Sequence, residues 1–375
     1  AMRGYAHPDV ELVYTRARIL GEQLGETTQL FPVLYGRWRM AGIRGQLHAA
    51  QTLGDQLMEL GQSTQNPDLL LEAFRAVGCT AFHLGELVTA RTLLEQGLAL
   101  YDRQQHAAHA FLYGHDPAVT CLGYLAHTLW LLGYPDQAQE WRRQVLHLAE
   151  ELSHPFSLGH ALVWDASILH QLRREAQQVQ ELAQRGLDLA TEHQFPHWLN
   201  MATILLGWAL AEQGQTATGI AHIRQGLAGW QAIGAGTNVP HFLALLAVAY
   251  RQTGQVKTAL TFLADALTMI EQTGERWYEA ELHRLHGELR WLAGADQAEV
   301  ERLFQRALTV AQQQQAKSLE LRTTVSLCRL WQAQGKGAAA HALLADIYGW
   351  FTEGFDTPDL QEARALLEAL SLSTV

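Results

Sequence analysis

The chain has 375 residues, of which 48% are hydrophobic and 17% charged, and its formal net charge is −11. Acidic residues outnumber basic ones by 38 to 27, and no basic run exceeds two arginines. Binding to nucleic acid or to an anionic membrane needs a phosphate-neutralising surface, so the sequence argues against both kinds of partner. The three cysteines, Cys79, Cys121 and Cys328, lie far apart among apolar residues, which predicts reduced core thiols in a cytoplasmic protein.

The chain begins within a helical pattern, as a piece of a larger protein would, and no signal peptide is recognisable. Residues 1–27 are predicted to form an N-terminal capping helix or half repeat. Tandem helix-turn-helix repeats are predicted over 28–356, followed by a C-terminal capping helix over 357–375. No apolar stretch is long enough to span a membrane.

Between these caps, a glycine recurs at a step of about forty residues. The glycines are Gly45, Gly85, Gly133, Gly214, Gly254, Gly294 and Gly335, and a degenerate copy without glycine lies near Arg174. Only the step from Gly85 to Gly133, which is 48 residues, departs clearly from this spacing. A fixed period of this length is typical of repeat proteins.

Each unit has the pattern of two helices joined by a tight turn. The glycine is expected to end the first helix in the left-handed conformation, and the second helix begins two or three residues later. In the second unit, Leu87, Ala90, Leu94 and Leu98 form an apolar stripe at helical spacing. A small residue seven positions before each glycine from Gly85 onward lets the two helices approach closely; these residues are Gly78, Ala126, Gly207, Ala247, Gly287 and Cys328.

This pattern resembles the tetratricopeptide repeat (TPR), although that repeat is usually shorter. One helix pair cannot bury its apolar stripe alone, so neighbouring pairs stack into a superhelix. We therefore predict an all-α fold: a TPR-like, right-handed α-solenoid of about eight helix pairs with a period of about forty residues.

The long step falls on residues 103–116, where His106, His109, His115 and Asp116 cluster. Imidazoles at this spacing suit zinc, but no cysteine lies nearby and a fourth ligand is missing. A longer connector between the second and third pairs is the favoured interpretation, and whether it gates the concave face is left open. No metal is expected.

The sequence contains none of the common catalytic or nucleotide-binding motifs, such as HExxH, GxSxG, GxGxxG, paired CxxC or GxxxxGK[ST]. The pair His283 and His286 is interpreted as part of a charged helix face, in which neighbouring glutamates pair at helical spacing. We predict a protein that is not an enzyme and has no cofactor.

Several long phrases resemble one particular group of repeat proteins. They include "FLYGHDPAVTCLGYLAHTLWLLGYPDQA" from Phe111, "TGERWYEAELHRLHGEL" from Thr273 and "AKSLELRTTVSLCRLWQAQGK" from Ala316. They are similar to the C-terminal repeat region of large bacterial signalling ATPases of the STAND type. In that family a nucleotide-binding switch module precedes the repeats, and a class III adenylate/guanylate cyclase, a protein kinase or a DNA-binding module often supplies the output. The resemblance implies that this chain is the sensor or interaction arm.

The first helix of each pair is expected to line a concave groove. Counting from the cap glycines, the groove residues are predicted to be Arg75, His83, His127, Trp130, Trp164, Trp208, Glu212, His241, Arg251, Arg284, Glu288, Arg322 and Arg329. Glu72, Cys79 and Glu281 are expected on the same inward face. Aromatic side chains can anchor an extended segment and arginines can fix its carboxylates. The alternative for each tryptophan is a place in the core between helices.

Two functions are compatible with these observations. The first is a non-catalytic scaffold that binds a protein or peptide segment, such as the N-terminal ATPase or output modules that the resemblance implies, or that self-associates into a homo-oligomer. The second is a small-molecule sensor that closes round a metabolite. A long, open groove lined by both acidic and basic side chains would support the first function. A closed pocket walled by several tryptophans would support the second.

Overall fold

The computed structural model describes residues 27–372, and every regular element in that range is helical. The prediction of an all-α, TPR-like solenoid is confirmed. The predicted N-terminal cap over residues 1–27 lies outside the described residues, except for its last residue.

Eight helix pairs follow one another along the described chain. Their bounds are α1 Thr27–Ile43 and α2 Leu47–Thr64, α3 Pro67–His83 and α4 Leu87–Leu100, α7 Pro117–Leu132 and α8 Pro135–Leu152, α9 (Pro155–Gly159, His160–Ser167 and Ile168–Leu172) and α10 Ala176–Glu192, α11 Pro196–Glu212 and α12 Thr216–Ala232, α13 Val239–Gln252 and α14 Val256–Thr273, α15 Glu279–Leu292 and α16 Gln297–Gln313, α17 Lys317–Ala333 and α18 Gly337–Trp350. Two short helices, α5 Arg103–His106 and α6 His109–Tyr113, lie in the long connector, and α19 Pro358–Leu372 follows the last pair.

The seven periodic glycines all adopt the left-handed conformation that their spacing predicts, with φ between 74° and 94°. In the degenerate fourth unit the same position is taken by Arg174, whose φ is 64°. A side chain with a Cβ is strained there. The arginine is nevertheless anchored by ion pairs with Asp359 and Glu362 on α19, at 3.3 and 2.8 Å.

Helix α9 departs from regular α-helix geometry in its middle. Its segment His160–Ser167 is a π-helix, in which Ser167 Oγ donates to the carbonyl of Leu162, five residues earlier. In an α-helix, residues five apart point about 140° away from each other. The wider π turn instead brings His160 and Asp165 together, with 2.8 Å between Nδ1 and Oδ2.

Successive turns of the superhelix contact each other edge to edge. The carbonyls at the ends of α1 and α3 accept hydrogen bonds from chain about one turn later: Ile43 from the amide of Gly236 at 2.8 Å, and His83 from the amide of Arg276 at 2.7 Å. The carbonyl of Trp130, near the end of α7, likewise accepts from Ser318 Oγ. Helix ends leave such carbonyls without an intrahelical partner, so these bonds also satisfy the helix termini.

The first helices of the pairs therefore surround a central space, which we call the lumen. Side chains from both turns fill its middle. Phe82, His127, Trp164, His241 and Trp277 meet there, with ring centroids 5.0 to 6.4 Å apart. We call this cluster the aromatic partition. It leaves two separate cavities in place of one continuous groove.

Candidate functional site

The first cavity, of about 250 Å³, lies in the C-terminal half of the lumen. The first helices of the last four pairs, the turn after α9 and α19 contribute its charged walls. Five arginines line it, namely Arg174, Arg251, Arg284, Arg322 and Arg329, with five carboxylates, namely Glu212, Glu281, Glu288, Asp359 and Glu362. We call it the ionic cavity.

A buried ion-pair network forms the floor of the ionic cavity. Arg284 binds Glu281 through two hydrogen bonds, of 2.6 and 2.8 Å, and also pairs with Glu288. Glu288 in turn accepts from Arg251 at 2.8 Å. Burial alone raises the pKa of Glu281, but the guanidinium of Arg284, together with those of Arg322 and Arg174, more than offsets this and lowers the pKa to about 2. This carboxyl group is therefore ionised and fixed in place at neutral pH.

The rim of the ionic cavity is open to solvent and less constrained. The side chains of Arg174 and Arg329 are 50% and 47% exposed, and both contact Glu362. Glu212 is exposed and accepts a hydrogen bond of 2.7 Å from Gln252. Guanidinium and carboxylate groups at a solvent-facing rim can exchange their present partners for those of an incoming segment at little cost.

The second cavity, of about 110 Å³, lies in the N-terminal half of the lumen. Aromatic residues dominate its wall; they are Tyr35, Trp38, Tyr124, Trp164, Trp198 and Trp230, with the imidazoles of His83, His115, His160 and His197. Among the described lining residues Arg39 is the one guanidinium and none is a carboxylate. We call it the aromatic cavity.

The structure divides the predicted groove residues among three places. The ionic cavity is lined by Trp208, Glu212, Arg251, Arg284, Glu288, Arg322 and Arg329. The aromatic cavity is lined by His83 and Trp164. The remaining four, Arg75, His127, Trp130 and His241, line neither cavity, and all are buried.

The interpretation of these four as groove residues therefore needs correction. Arg75 is fully buried, pairs with Glu72 at 2.7 Å and donates to the carbonyl of His115 at 3.0 Å. Trp130 lies under the guanidinium of Arg322, at 4.9 Å, where two superhelical turns meet. His127 and His241 belong to the aromatic partition. The closing of the superhelix on itself covers the face that these residues would present in an open solenoid.

Sequence reasoning missed several lining residues. Arg174 lines the ionic cavity, and His115, His160 and Trp198 line the aromatic cavity. The π-helix, the connector and the missing glycine at position 174 obscure the helical periodicity for these four. Of the further residues predicted on the inward face, Glu281 lines the ionic cavity and Cys79 the aromatic cavity, whereas Glu72 is buried and lines neither.

The long connector packs against the first two pairs. Tyr113 contacts the ring of Tyr35 on α1 with 4.8 Å between centroids, and His109 Nδ1 lies 2.8 Å from Glu72 on α3. His115 then enters the wall of the aromatic cavity. The connector thus forms part of the wall that encloses this cavity.

The connector also brings together the one group of side chains in residues 27–372 with metal-site geometry. Ligand atoms of Asp68, His106 and His109 lie within 4.8 Å of one another. However, His106 Nδ1 accepts a hydrogen bond of 2.8 Å from the amide of Asp102, so the hydrogen of the neutral ring lies on Nε2, 3.0 Å from Asp68. Nε2 therefore has no lone pair for a metal, and the hydrogen bonds favour a structural role.

We expect Zn²⁺ to leave the melting temperature of the protein unchanged at neutral pH, because metal binding would require the hydrogen bond from Asp102 to break. Differential scanning calorimetry with and without Zn²⁺ tests this. A rise that disappears in His106→Gln would contradict the hydrogen-bond assignment and indicate a metal site.

The fold and its closed lumen define the class of protein: a TPR-type α-solenoid with two internal cavities. The family model described as "Tetratricopeptide repeat" matches residues 119–144, 200–225 and 240–271. No helix in the described range is both long and apolar enough to cross a membrane.

One curated relative is an uncharacterized protein, R02095, from Rhizobium meliloti (strain 1021). It is 26% identical over 311 residues, which are 82% of this chain and 30% of that protein. The chain thus corresponds to less than a third of the relative's length.

Three solved structures share the fold. The Cut9–Hcn1 hetero-tetramer of APC/C has a TM-score of 0.61 at 11% identity, covering 98% of this chain and 60% of the other. Rap protein complexed with competence and sporulation factor has a TM-score of 0.58 at 11% identity, covering 92% and 97%. NprR in complex with its cognate peptide NprX has a TM-score of 0.52 at 13% identity, covering 80% and 83%.

Proposed function

We propose that this chain is a non-catalytic interaction arm of a larger bacterial signalling protein, and that it binds a short charged peptide or protein segment at the ionic cavity. The observation that carries the proposal is the convergence of five arginines and five carboxylates on one opening of the lumen. Arginine forks recognise carboxylates through paired hydrogen bonds, and the acidic side chains can receive a lysine or an amino terminus.

The exposed rim suits recognition better than the floor does. Arg174 and Arg329 can each turn toward a carboxylate of the segment, whereas Arg284 is only 13% exposed and is held by Glu281, which is 5% exposed. Two solved proteins with this fold hold a bound partner: Rap is complexed with competence and sporulation factor, and NprR with its cognate peptide NprX. The NprR complex supports a peptide as the occupant.

The attachment to a STAND-type ATPase, with a cyclase, kinase or DNA-binding output, is part of the proposal. Its support is the resemblance of the long sequence phrases and the greater length of the relative, of which the match covers 30%. A cytoplasmic location is proposed as well, since Cys79, Cys121 and Cys328 are buried and free. The charge of −11 keeps nucleic acid and membranes outside the proposal.

A selection of random short peptides on the immobilised chain tests the proposal. We expect enrichment of peptides with both acidic and basic residues. Binding of a selected peptide, measured by calorimetry, should weaken at least about tenfold in the double variant Arg174→Gln/Arg329→Gln, because hydrogen bonds to charged groups contribute about 1.5–3 kcal/mol each.

The matched control is Arg185→Gln/Arg364→Gln, which removes two surface arginines that are also half or more exposed and ion-paired, at 2.9 and 3.0 Å, outside the cavity. This control should bind as the unmodified chain does. Failure to enrich any peptide, or equal affinity in the two double variants, would contradict the proposal.

A second candidate function, small-molecule sensing, is favoured by the aromatic cavity, which is walled by four tryptophans, namely Trp38, Trp164, Trp198 and Trp230. Enclosure by aromatic side chains with a few convergent polar groups is typical of a ligand pocket.

A further inference from the structure

We propose that the aromatic cavity binds a compact monocarboxylate, with a flat apolar body no larger than one ring, and that His115, His160 and Trp198 hold its carboxylate. These three residues, which we call the donor corner, line one cavity from three separate parts of the chain. Their ring centroids lie 4.9 to 5.8 Å from one another. The site is separate from the ionic cavity.

Each member of the donor corner is buried, with an exposed fraction of 2–5%. Nε1 of Trp198 and Nδ1 of His115 have no hydrogen-bond partner within the described chain. An indole nitrogen can only donate. A buried donor without a partner costs free energy, so unpartnered donors beside a cavity indicate a ligand that carries hydrogen-bond acceptors.

The hydrogen of His115 is placed by its neighbour. A guanidinium can only donate, and Arg39 lies 3.0 Å from Nε2 of His115. Nε2 is therefore the acceptor, and the hydrogen of the neutral ring lies on Nδ1. Burial lowers the pKa of His115 well below its usual range, which keeps this ring neutral at physiological pH. The unpartnered nitrogen is thus a second donor.

The hydrogen of His160 is placed by Asp165. Burial raises the pKa of the Asp165 carboxyl well above its usual range and lowers the pKa of His160, so the pair carries no net charge. A protonated carboxyl that donates to Nδ1 across 2.8 Å leaves the hydrogen of the neutral ring on Nε2. The π-helix supplies this contact, since it brings Asp165 under His160.

The lining residues outside the donor corner determine the charge and size of the ligand that fits. Arg39 adds positive charge, and no described lining residue is a carboxylate. Oδ1 of Asn238 is an unpartnered oxygen acceptor in the wall, against two unpartnered donors in the corner, on His115 and Trp198, and a third on Nε1 of Trp164. An acceptor-rich, negatively charged group therefore fits the corner. Tryptophan faces favour a flat body, and the volume of about 110 Å³, in a cavity that also opens to solvent, limits that body to one ring.

Calorimetric titration of the chain with 2-furoate and benzoate tests the proposal. We expect both to bind and to raise the melting temperature, and we expect neutral 2-furamide to bind at least about tenfold more weakly, because it cannot make charge-assisted hydrogen bonds. The two-ring 2-naphthoate should not bind.

Trp198→Phe and His160→Phe each remove one donor and keep a ring, and each should weaken furoate binding roughly tenfold or more. Trp130→Phe, a buried tryptophan outside the cavity, is the matched control and should bind as the unmodified chain does. Melting curves establish that each variant is folded. The proposal is overturned by absent binding of both acids, by furamide binding as tightly as furoate, or by unchanged affinity in both donor variants.

Discussion

Replacing Gly219 by alanine should lower the free energy of unfolding by about 2 kcal/mol or more, although alanine normally favours a helix over glycine by up to about 1 kcal/mol. Gly219 on α12 faces Gly207 on α11, and a Cβ at Gly219 would lie 2.4 Å from the carbonyl oxygen of Gly207. A carbonyl oxygen belongs to the backbone and cannot rotate away, so the two helices would have to separate.

Gly349→Ala is the matched control for this prediction. Gly349 also lies within a helix, α18, but a Cβ there meets nothing within 4 Å. We expect this variant to be as stable as the unmodified chain or more stable by up to about 1 kcal/mol. Urea unfolding followed by circular dichroism gives both values. A Gly219→Ala protein with unchanged stability would show that the two helices are less tightly packed than the structure indicates.

The same local chemistry explains why so much of the fold was predictable. A cap glycine is required because its φ is positive, which strains a residue that has a Cβ. A small residue such as Gly207 is required because the second helix of the same pair packs directly against it. Both requirements lie within about forty residues of sequence, and the periodic glycines from Gly45 to Gly335 do adopt positive φ. The helix pairs, their number and the turn positions therefore follow from the sequence.

The closed lumen could not be predicted in this way. It depends on small rotations between successive pairs, summed over a whole superhelical turn, and on contacts such as that between Ile43 and Gly236, which are far apart in the chain. The periodicity of residues along a helix shows which face lies on the concave side of the superhelix. It does not show whether another superhelical turn covers that face. For that reason Arg75 and Trp130 were expected at a groove and lie in packed walls.

The candidate sites show the same limit. The His160–Asp165 contact requires a π-helix, and Asp165 also requires that residue 123 be glycine, since a Cβ there would lie 1.7 Å from Oδ1 of Asp165. Neither requirement leaves a periodic signal. The charged residues of the ionic cavity were easier to identify because they lie in repeats that keep the regular step of forty, where counting from the cap glycine gives the correct face.

Replacing Arg284 by methionine should lower the free energy of unfolding at neutral pH by about 3–5 kcal/mol, because it leaves the buried carboxylate of Glu281 without its main partner. By contrast, Arg91→Met removes an arginine whose pairing with Glu95 is exposed, and should change stability by no more than about 1 kcal/mol. Urea unfolding of both variants beside the unmodified chain measures the difference.

The loss in Arg284→Met should also depend on pH. In the unmodified chain the pKa of Glu281 is lowered to about 2, so its ionised form contributes stability that is fully present above the ordinary pKa of 4.5 and is lost as the pH falls toward 2. Without Arg284 the largest influence that lowers this pKa is lost and Arg322 offsets the loss only in part, so the pKa of Glu281 is higher in the variant and less of this stability is present at neutral pH. The difference in the free energy of unfolding between the unmodified chain and Arg284→Met should therefore be largest at neutral pH. It should become smaller on acidification to about pH 3. An equally large gap at both pH values would mean that Arg284 stabilises the fold through packing of its side chain and not through the charge of Glu281.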